Sequence, residues 1–243
     1  MIVNRLESGW EIIYQPAHAL LSAQLVGRWR VEAHPPRWWE TLVAVSQHDN
    51  GWREWEAAPQ VNPDGTPRNF TEMTVPEAMA QWRRGVTRAR HQSAWVGLLV
   101  SHHATTLFDS RRGELEALNQ FLDEQHAQQE RWRASLGASP EEVDHAYAMV
   151  RWTDWLSLVL CWRRLPADGS PISLGTGPDG TRYEAALRMD ESVALTPWPF
   201  DEARFTVTVE TRLLSQPTFA DDEALQVALL DAPVQPRAWT LMQ

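Results

Sequence analysis

The sequence predicts a mainly α-helical protein. A helical bundle is expected over residues 1–165, a linker over 166–180, and a small antiparallel β element over 181–243 packed on the bundle, α+β overall. Apolar residues recur at helical spacing in several segments of the first part. The linker holds four glycines and three prolines, which break regular structure. Beyond it, apolar and polar residues alternate, as they do in half-buried strands.

The ends of the first two helices are visible in the sequence. Pro16 stands where the first turn of a helix tolerates proline, and an apolar stripe runs from there to Trp29. Two prolines at 35–36 end this helix. The second helix is predicted to end just before Gly51, because glycine readily adopts the left-handed backbone that follows a helix C-terminus.

A long loop separates these helices from the next ones. Residues 57–73 are rich in Pro, Asn, Asp and Gly, and a loop of this length is uncommon unless it has a role, such as covering a site. Thr74 and Glu77 then form a capping box that predicts the start of a helix. Apolar stripes predict two further helices, over 95–108 and 114–136.

The last helix of the bundle begins with a second capping box, Ser139 and Glu142, with Pro140 at the first helical position. It continues through Asp154 towards residue 162. The alternating segments after the linker predict strands, of which the last two would be edge strands: 183–189, 205–209, 226–230 and 239–242.

Composition excludes several functional classes. The net charge of −10 argues against non-specific binding to nucleic acid or to anionic membranes, which requires a basic face. No apolar run reaches the length of about 18 residues that spans a bilayer. Cys161 is the single cysteine, which excludes an intrachain disulfide and is typical of a reducing compartment. Because no signal peptide is recognisable either, we expect a soluble, cytoplasmic protein.

Asp154 is the first candidate for a functional residue, because its helix is otherwise strongly apolar. A buried carboxylate needs a cation as its partner. Arg28 or Arg151 could supply that charge. Alternatively, histidines on other apolar helical stripes could bind a metal ion that supplies it. Imidazole and carboxylate bind iron, zinc or manganese well. The predicted metal ligands are His18, His48, Asp49, His102, His103 and Asp154.

A rival ligand set is less favoured. Asp123 with His126, and Glu142 with His145, have the carboxylate-x-x-His spacing of di-iron helical bundles. Both pairs lie in very polar stretches, which indicates a solvated surface. Nucleophilic catalysis has little support either, because Cys161 has no obvious partner base and the chain has no Gly-x-Ser-x-Gly elbow or phosphate-binding glycine loop.

The order of the candidate ligands resembles that of a known superfamily. His18, then His48-Asp49, then Asp154 on successive helices is similar to the HD superfamily of metal-dependent phosphohydrolases, where these four positions hold a catalytic ion. Residues 102–103 resemble the extra histidines of its two-metal members. Four segments more closely resemble an uncharacterised bacterial family, domain of unknown function 3891: Gln15-Pro-Ala-His-Ala19, Gln47-His-Asp-Asn-Gly-Trp-Arg-Glu-Trp-Glu56, Leu99-Val-Ser-His-His103 and Thr153-Asp-Trp-Leu-Ser-Leu158.

The superfamily resemblance implies an HD-like helical bundle and the hydrolysis of a small phosphorylated molecule with one or two divalent ions of Mn, Fe, Zn or Ni. In this hypothesis Asp49 orients the attacking water. His102 and His103 serve a second ion or contact the leaving group, and Arg53 steadies the phosphate. Signalling phosphodiesterases of the superfamily often place lysine beside the glycine that corresponds to Gly51, and this chain does not, so no substrate is carried over.

Two other hypotheses remain open at the level of sequence. The same ligands could hold two irons for oxygen chemistry, as in some HD-like oxygenases. Alternatively, the chain could be a non-catalytic binding or regulatory protein in which the metal is structural. Neither nucleic acid nor a membrane is expected as a partner, and a homodimer is left open.

Overall fold

The computed structural model of the protein describes all residues, 1–243. The α-helices are α1 (Gln15–Val26), α2 (Trp38–Gln47), α3 (Arg53–Ala57), α4 (Val75–Gln92), α5 (Ala94–Phe108), α6 (Glu116–Leu136), α7 (Pro140–Cys161) and α8 (Asp222–Asp231). The strands are β1 (Ile2–Leu6), β2 (Gly9–Ile13), β3 (Ile172–Thr176), β4 (Arg182–Leu187), β5 (Val193–Thr196), β6 (Arg204–Leu214) and β7 (Val234–Met242).

The prediction of a mainly α bundle with a small C-terminal β element is wrong. Helices hold 51% of the chain and strands 20%, and the strands form one curled, mixed sheet that resembles half of a barrel. Its strand order is β1-β2-β6-β7-β5-β4-β3. All neighbours are antiparallel except β5 and β7, which are parallel. The architecture is therefore α+β.

The N-terminal hairpin contains β2, a segment that the sequence indicates as a strand although its apolar and polar residues alternate poorly. In β2, Ile12 and Ile13 are both buried, although adjacent residues of a strand point to opposite faces. Ile13 packs in the main core with the helices, whereas Ile12 packs in a second cluster with Leu225 and Leu229 of α8. A strand that is covered on both faces shows no alternation of apolar and polar residues, which explains the poor alternation of β2.

The C-terminal part also differs from the prediction. The expected strand over 226–230 is wrong, because this segment lies in α8, which begins where the Asp221 carboxylate accepts a hydrogen bond from the backbone N–H of Ala224. The expected strand over 239–242 exists, but β7 is longer and lies inside the sheet between β6 and β5. Strand β3 falls within the predicted linker. The division of the chain into two units stays a prediction.

The predicted helices of the first part are confirmed. Both capping boxes form, at Thr74 with Glu77 before α4 and at Ser139 with Glu142 before α7. One hydrophobic core joins α1, α2, α4, α5, α6 and α7 to the inner face of the sheet. No helix combines the length and the apolar character that crossing a bilayer requires.

Candidate metal centre

Four helices bring together one buried cluster of imidazoles and carboxylates. It consists of His18 from α1, His48 and Asp49 from the end of α2, His103 from α5, and Asp154 from α7. None of the five residues is more than 8% exposed. Their ligand atoms form two overlapping sets that share His48, and within each set all atoms lie within 4.8 Å of one another. Five of the six predicted ligands therefore meet at one point.

The chain reaches this point through a close approach of two segments. His48 directly follows α2, and Asp49 precedes a turn of 3-10 helix over Asn50–Trp52. A Cβ atom on Gly51 would lie only 2.4 Å from the backbone oxygen of Gln81 in α4. Glycine is required here because α4 packs directly on the turn, and this contact fixes the backbone beside Asp49.

His48 presents an unsatisfied nitrogen to two carboxylates. Its Nδ1 lies 2.7 Å from the carbonyl oxygen of Val45, which can only accept, so Nδ1 carries a proton. Its buried Nε2 has no hydrogen-bond partner and lies 3.2 Å from Oδ1 of Asp154 and 3.6 Å from Oδ2 of Asp49. Burial opposes protonation of His48, but the two carboxylates outweigh it and raise its pKa to about 9. The carboxylates therefore favour a positive charge at Nε2, which a proton or a metal ion can supply.

His18 faces the same two carboxylates. Its Nδ1 forms a hydrogen bond of 2.7 Å with the hydroxyl of Ser157, which also contacts the hydroxyl of Ser22 and the carbonyl oxygen of Asp154. The other ring nitrogen, Nε2, forms a hydrogen bond with Oδ2 of Asp49 at 2.8 Å and lies 3.5 Å from Oδ1 of Asp154. Ser157 is fully buried and does not line the cavity beside the cluster, so it is no candidate for a nucleophile.

His103 closes the cluster from the side of α5. Its Nε2 lies 3.7 Å from Oδ2 of Asp154, and its Nδ1 lies 3.3 Å from the hydroxyl of Tyr147. Burial lowers the pKa of His103 to about 4 and raises the pKa of Tyr147 to about 12. His103 is therefore a neutral imidazole at neutral pH, and Tyr147 keeps its proton.

The two carboxylates remain ionised in spite of their burial. Burial alone would raise the pKa values of Asp49 and Asp154, but the neighbouring histidines, His48 above all, lower both. The indole N–H of Trp52 also donates to Oδ1 of Asp49 at 3.1 Å, which leaves Oδ2 for the histidines. Trp52 stands three residues after Asp49, and this spacing within one tight turn was the signal that could have identified it.

A cavity of about 280 Å³ opens beside the cluster. His18, Asp49, His103 and Asp154 line it and are buried, so they form its floor. The predicted loop over 57–73 contributes part of the wall, as expected for a segment that covers a site. Besides Thr71 of that loop, the polar lining residues Gln15 and Arg111 were not among the predicted site residues. Neither stands out from the sequence, because both resemble ordinary polar residues at helix ends.

Two predicted site residues lie elsewhere. The ring of His102 stacks on Tyr147 with centroids 4.4 Å apart, and its Nε2 is 3.8 Å from the exposed carboxylate of Asp144, outside the cluster. Arg53 is exposed and does not line the cavity. The cavity thus places Arg111, and not Arg53, near a bound ligand.

The alternative partners for Asp154 are engaged elsewhere. Arg28 pairs with Glu202, and the guanidinium of Arg151 donates to the carbonyl oxygen of Thr176. In the rival ligand set, His126 pairs with Asp109 at the surface, and neither of its carboxylate-x-x-His pairs belongs to a group that could hold a metal. The charge of Asp154 is therefore balanced only within the cluster.

Comparison with known proteins gives one match. A family model described as "Protein of unknown function (DUF3891)" matches residues 1–216, which include the whole cluster. No curated protein and no solved structure matches the chain. Any function must therefore be argued from the geometry of the site.

Proposed function

The chain belongs to the family of proteins of unknown function DUF3891, and from the geometry of its buried cluster we propose that it is a metal-dependent hydrolase of phosphoesters. One observation carries the proposal: the Nε2 atoms of His18 and His48 converge, in a buried site, on carboxylate oxygens of Asp49 and Asp154 at 2.8 Å and 3.2 Å. Two buried carboxylates need positive charge beside them, and imidazole nitrogens that converge on the same point can share a metal ion with them. One divalent ion would satisfy all four groups.

The donor set fits such an ion. Two imidazoles and two carboxylates suit zinc, iron, manganese or nickel. The remaining ring nitrogens of His18 and His48 are held by Ser157 and by the carbonyl of Val45, which is how metal-bound histidines are usually oriented. We propose one ion, because a second would have only His103 beyond this set.

A divalent ion at this point supplies Lewis-acid chemistry, which polarises a phosphoryl oxygen and activates water. The side chains of the protein do the rest. Trp52 fixes Asp49, whose Oδ2 orients the water. His103, neutral and facing the cavity, forms a hydrogen bond with the oxygen that leaves. In the net reaction the oxygen of water replaces the ester oxygen on phosphorus, and the released alcohol takes up a proton.

Elemental analysis of the purified protein, followed by a panel of phosphomonoesters and phosphodiesters with Mn²⁺, tests this function. We expect roughly one transition-metal ion per chain and hydrolysis that a chelator abolishes. Asp154→Asn should lose both the metal and the activity. Asp144→Asn is the matched control, because Asp144 lies on the same helix with its side chain 72% exposed.

Three results would redirect the proposal. A protein without metal, whose melting temperature does not change with chelator, would refute the metal centre. Bound iron with a visible or spin-resonance signal that responds to oxygen would favour the oxygenase. A metal whose removal lowers stability, in a protein that hydrolyses nothing in the panel, would favour a structural role.

A further inference from the structure

The walls of the cavity beside the metal cluster are apolar and largely aromatic. Trp52, Phe70, Trp82 and Phe108 all line it, above the buried floor. Such walls bind an apolar ring well, because aromatic side chains bury large areas and stack on ring faces. The non-reacting part of a ligand bound in this cavity would therefore contact hydrocarbon and indole surfaces.

The cavity has little positive charge. Arg111 is the only lysine or arginine that lines it. Its side chain is 42% exposed, and its Nε and Nη2 atoms already bind the carboxylate of Glu114. Sites for polyphosphates concentrate several cations or backbone N–H groups on the phosphate chain. This cavity is therefore matched to a ligand with one phosphoryl group.

Gln15 is a polar group without a partner in this apolar setting. The residue is 2% exposed, and its Oε1 is buried without a hydrogen bond. Its backbone N–H donates to Glu56 and fixes the start of α1, three residues before His18. A buried amide without a partner is costly, so its position on the cavity wall indicates a ligand that supplies the missing hydrogen bond.

The size of the cavity limits the ligand further. A closed apolar cavity of roughly 150 Å³ is enough for one benzene molecule. The cavity here has about 280 Å³, which admits one ring and one phosphoryl group. A nucleoside with two or three phosphates would extend beyond that space into solvent.

We propose that the group esterified to phosphate is a neutral, ring-sized apolar body with one hydrogen-bonding substituent, and that Gln15 recognises this substituent. Gln15 is then a specificity-determining residue, and nucleoside polyphosphates are poor ligands. The phosphoryl group in this inference rests on the proposed function, whereas the preference for a ring rests on the walls of the cavity alone.

Calorimetric binding of non-hydrolysable phosphonates to the metal-loaded protein tests the inference without turnover. Phenylphosphonate should bind about tenfold more tightly than methylphosphonate, because the ring is buried. ADP should bind more weakly than phenylphosphonate. Among the three hydroxyphenylphosphonate isomers, at least one should bind about fivefold more tightly than phenylphosphonate, through the Gln15 amide.

Gln15→Leu should abolish that fivefold preference and leave the ring preference unchanged. Gln81→Leu is the matched control, because Gln81 is fully buried with an unpaired amide but does not line the cavity. Ala78→Phe should block phenylphosphonate while the metal content stays the same, because Ala78 lies on the cavity wall. Melting temperatures establish that each variant is folded. The comparison of phenylphosphonate with methylphosphonate and ADP uses the wild-type protein alone, so it does not depend on any variant folding.

Equal binding of methylphosphonate and phenylphosphonate, tightest binding of ADP, or no binding of any phosphonate would overturn the inference. So would a hydroxyl preference that survives in Gln15→Leu. A ring preference in a protein that hydrolyses no phosphoester would refute the hydrolase and leave the inference intact. Hydrolysis of small aliphatic phosphoesters without any ring preference would support the hydrolase and overturn the inference.

Discussion

The imidazole of His48 directs its Nε2 atom at Oδ1 of Asp154 across 3.2 Å, at the point where α2 and α7 meet. Because the other ring nitrogen is committed to a backbone carbonyl, the contact joins two acceptors unless a proton or a metal lies there. Of the two histidines of α5, His103 faces the same Asp154 carboxylate and His102 does not, so we expect different effects from their removal. Substitutions that displace Asp49 should also weaken metal binding.

His103→Ala should weaken metal binding by roughly 10-fold to 100-fold, because it removes an imidazole that faces Asp154. His102→Ala should leave the affinity within about twofold of the wild type, because this ring stacks on Tyr147 outside the cluster. Competition with a chromogenic chelator measures both affinities. Equal losses in the two variants would contradict the single-ion site.

Trp52→Phe should lower the metal affinity by about tenfold, because it deletes the N–H that holds Oδ1 of Asp49. Trp55→Phe is its control. The two indoles pack edge to face with centroids 5.4 Å apart, but the N–H of Trp55 is buried without a partner, so its loss removes no hydrogen bond. The same chelator competition applies, and a larger effect at Trp55 would show that ring packing and not the hydrogen bond positions Asp49.

Gly51→Ala should destabilise the protein by about 1–3 kcal/mol, because the added Cβ would lie 2.4 Å from the backbone of Gln81. Gly85→Ala, on the facing helix, should stay within about 1 kcal/mol of the wild type. Its Cβ would meet Gly51 at 3.3 Å, and alanine in a helix interior offsets that crowding. Denaturant unfolding measures both changes, and a Gly85 variant that is less stable than the Gly51 variant would contradict the proposed packing.

Glu11 should make the stability of the sheet depend on pH. Burial alone would raise its pKa, but Arg163, Arg237 and Asn4 outweigh burial and hold the pKa below 4.5. A depressed folded-state pKa means that the contribution of Glu11 is complete above pH 4.5 and is lost as the pH falls towards the folded-state value.

Glu11→Gln should therefore lower the free energy of unfolding by about 2 kcal/mol at neutral pH. This loss is smaller than that from breaking a fully buried ion pair, because Arg163 is half exposed. The difference from the wild type should shrink as the pH falls below 4.5. Thermal unfolding across this range measures it. A constant separation of the two curves would show that the charge of Glu11 does not matter.

Local signals were sufficient to predict the helical part of the fold. The capping boxes at Thr74 and Ser139 involve residues only three apart, so the sequence contains both partners of each box. The buried cluster of histidines and aspartates could be predicted for a related reason. Asp154 and His103 are polar residues on apolar helical stripes, and a buried polar side chain needs a partner wherever the helices meet.

The sheet and the cavity depend on contacts between distant residues. Trp10 in β2 pairs with Leu214 in β6, about two hundred positions later, and no short pattern contains that pairing. Spacing could have identified α8, because Leu225 and Leu229 are four residues apart. For Gln15 no such signal exists, since its importance comes from the missing hydrogen bond and the surrounding walls, which appear only in the folded chain.

Strand β7 has a consequence for any shortened form of the protein. It lies beyond residue 216, where the family match ends, yet it pairs with β6 from Arg204–Met242 to Arg212–Val234 and is the only link between β6 and β5. A fragment trimmed to the matched region would split the half-barrel into two separate ribbons. Each ribbon would expose a new row of unpaired backbone groups, which promotes self-association, even though every residue of the buried cluster would still be present.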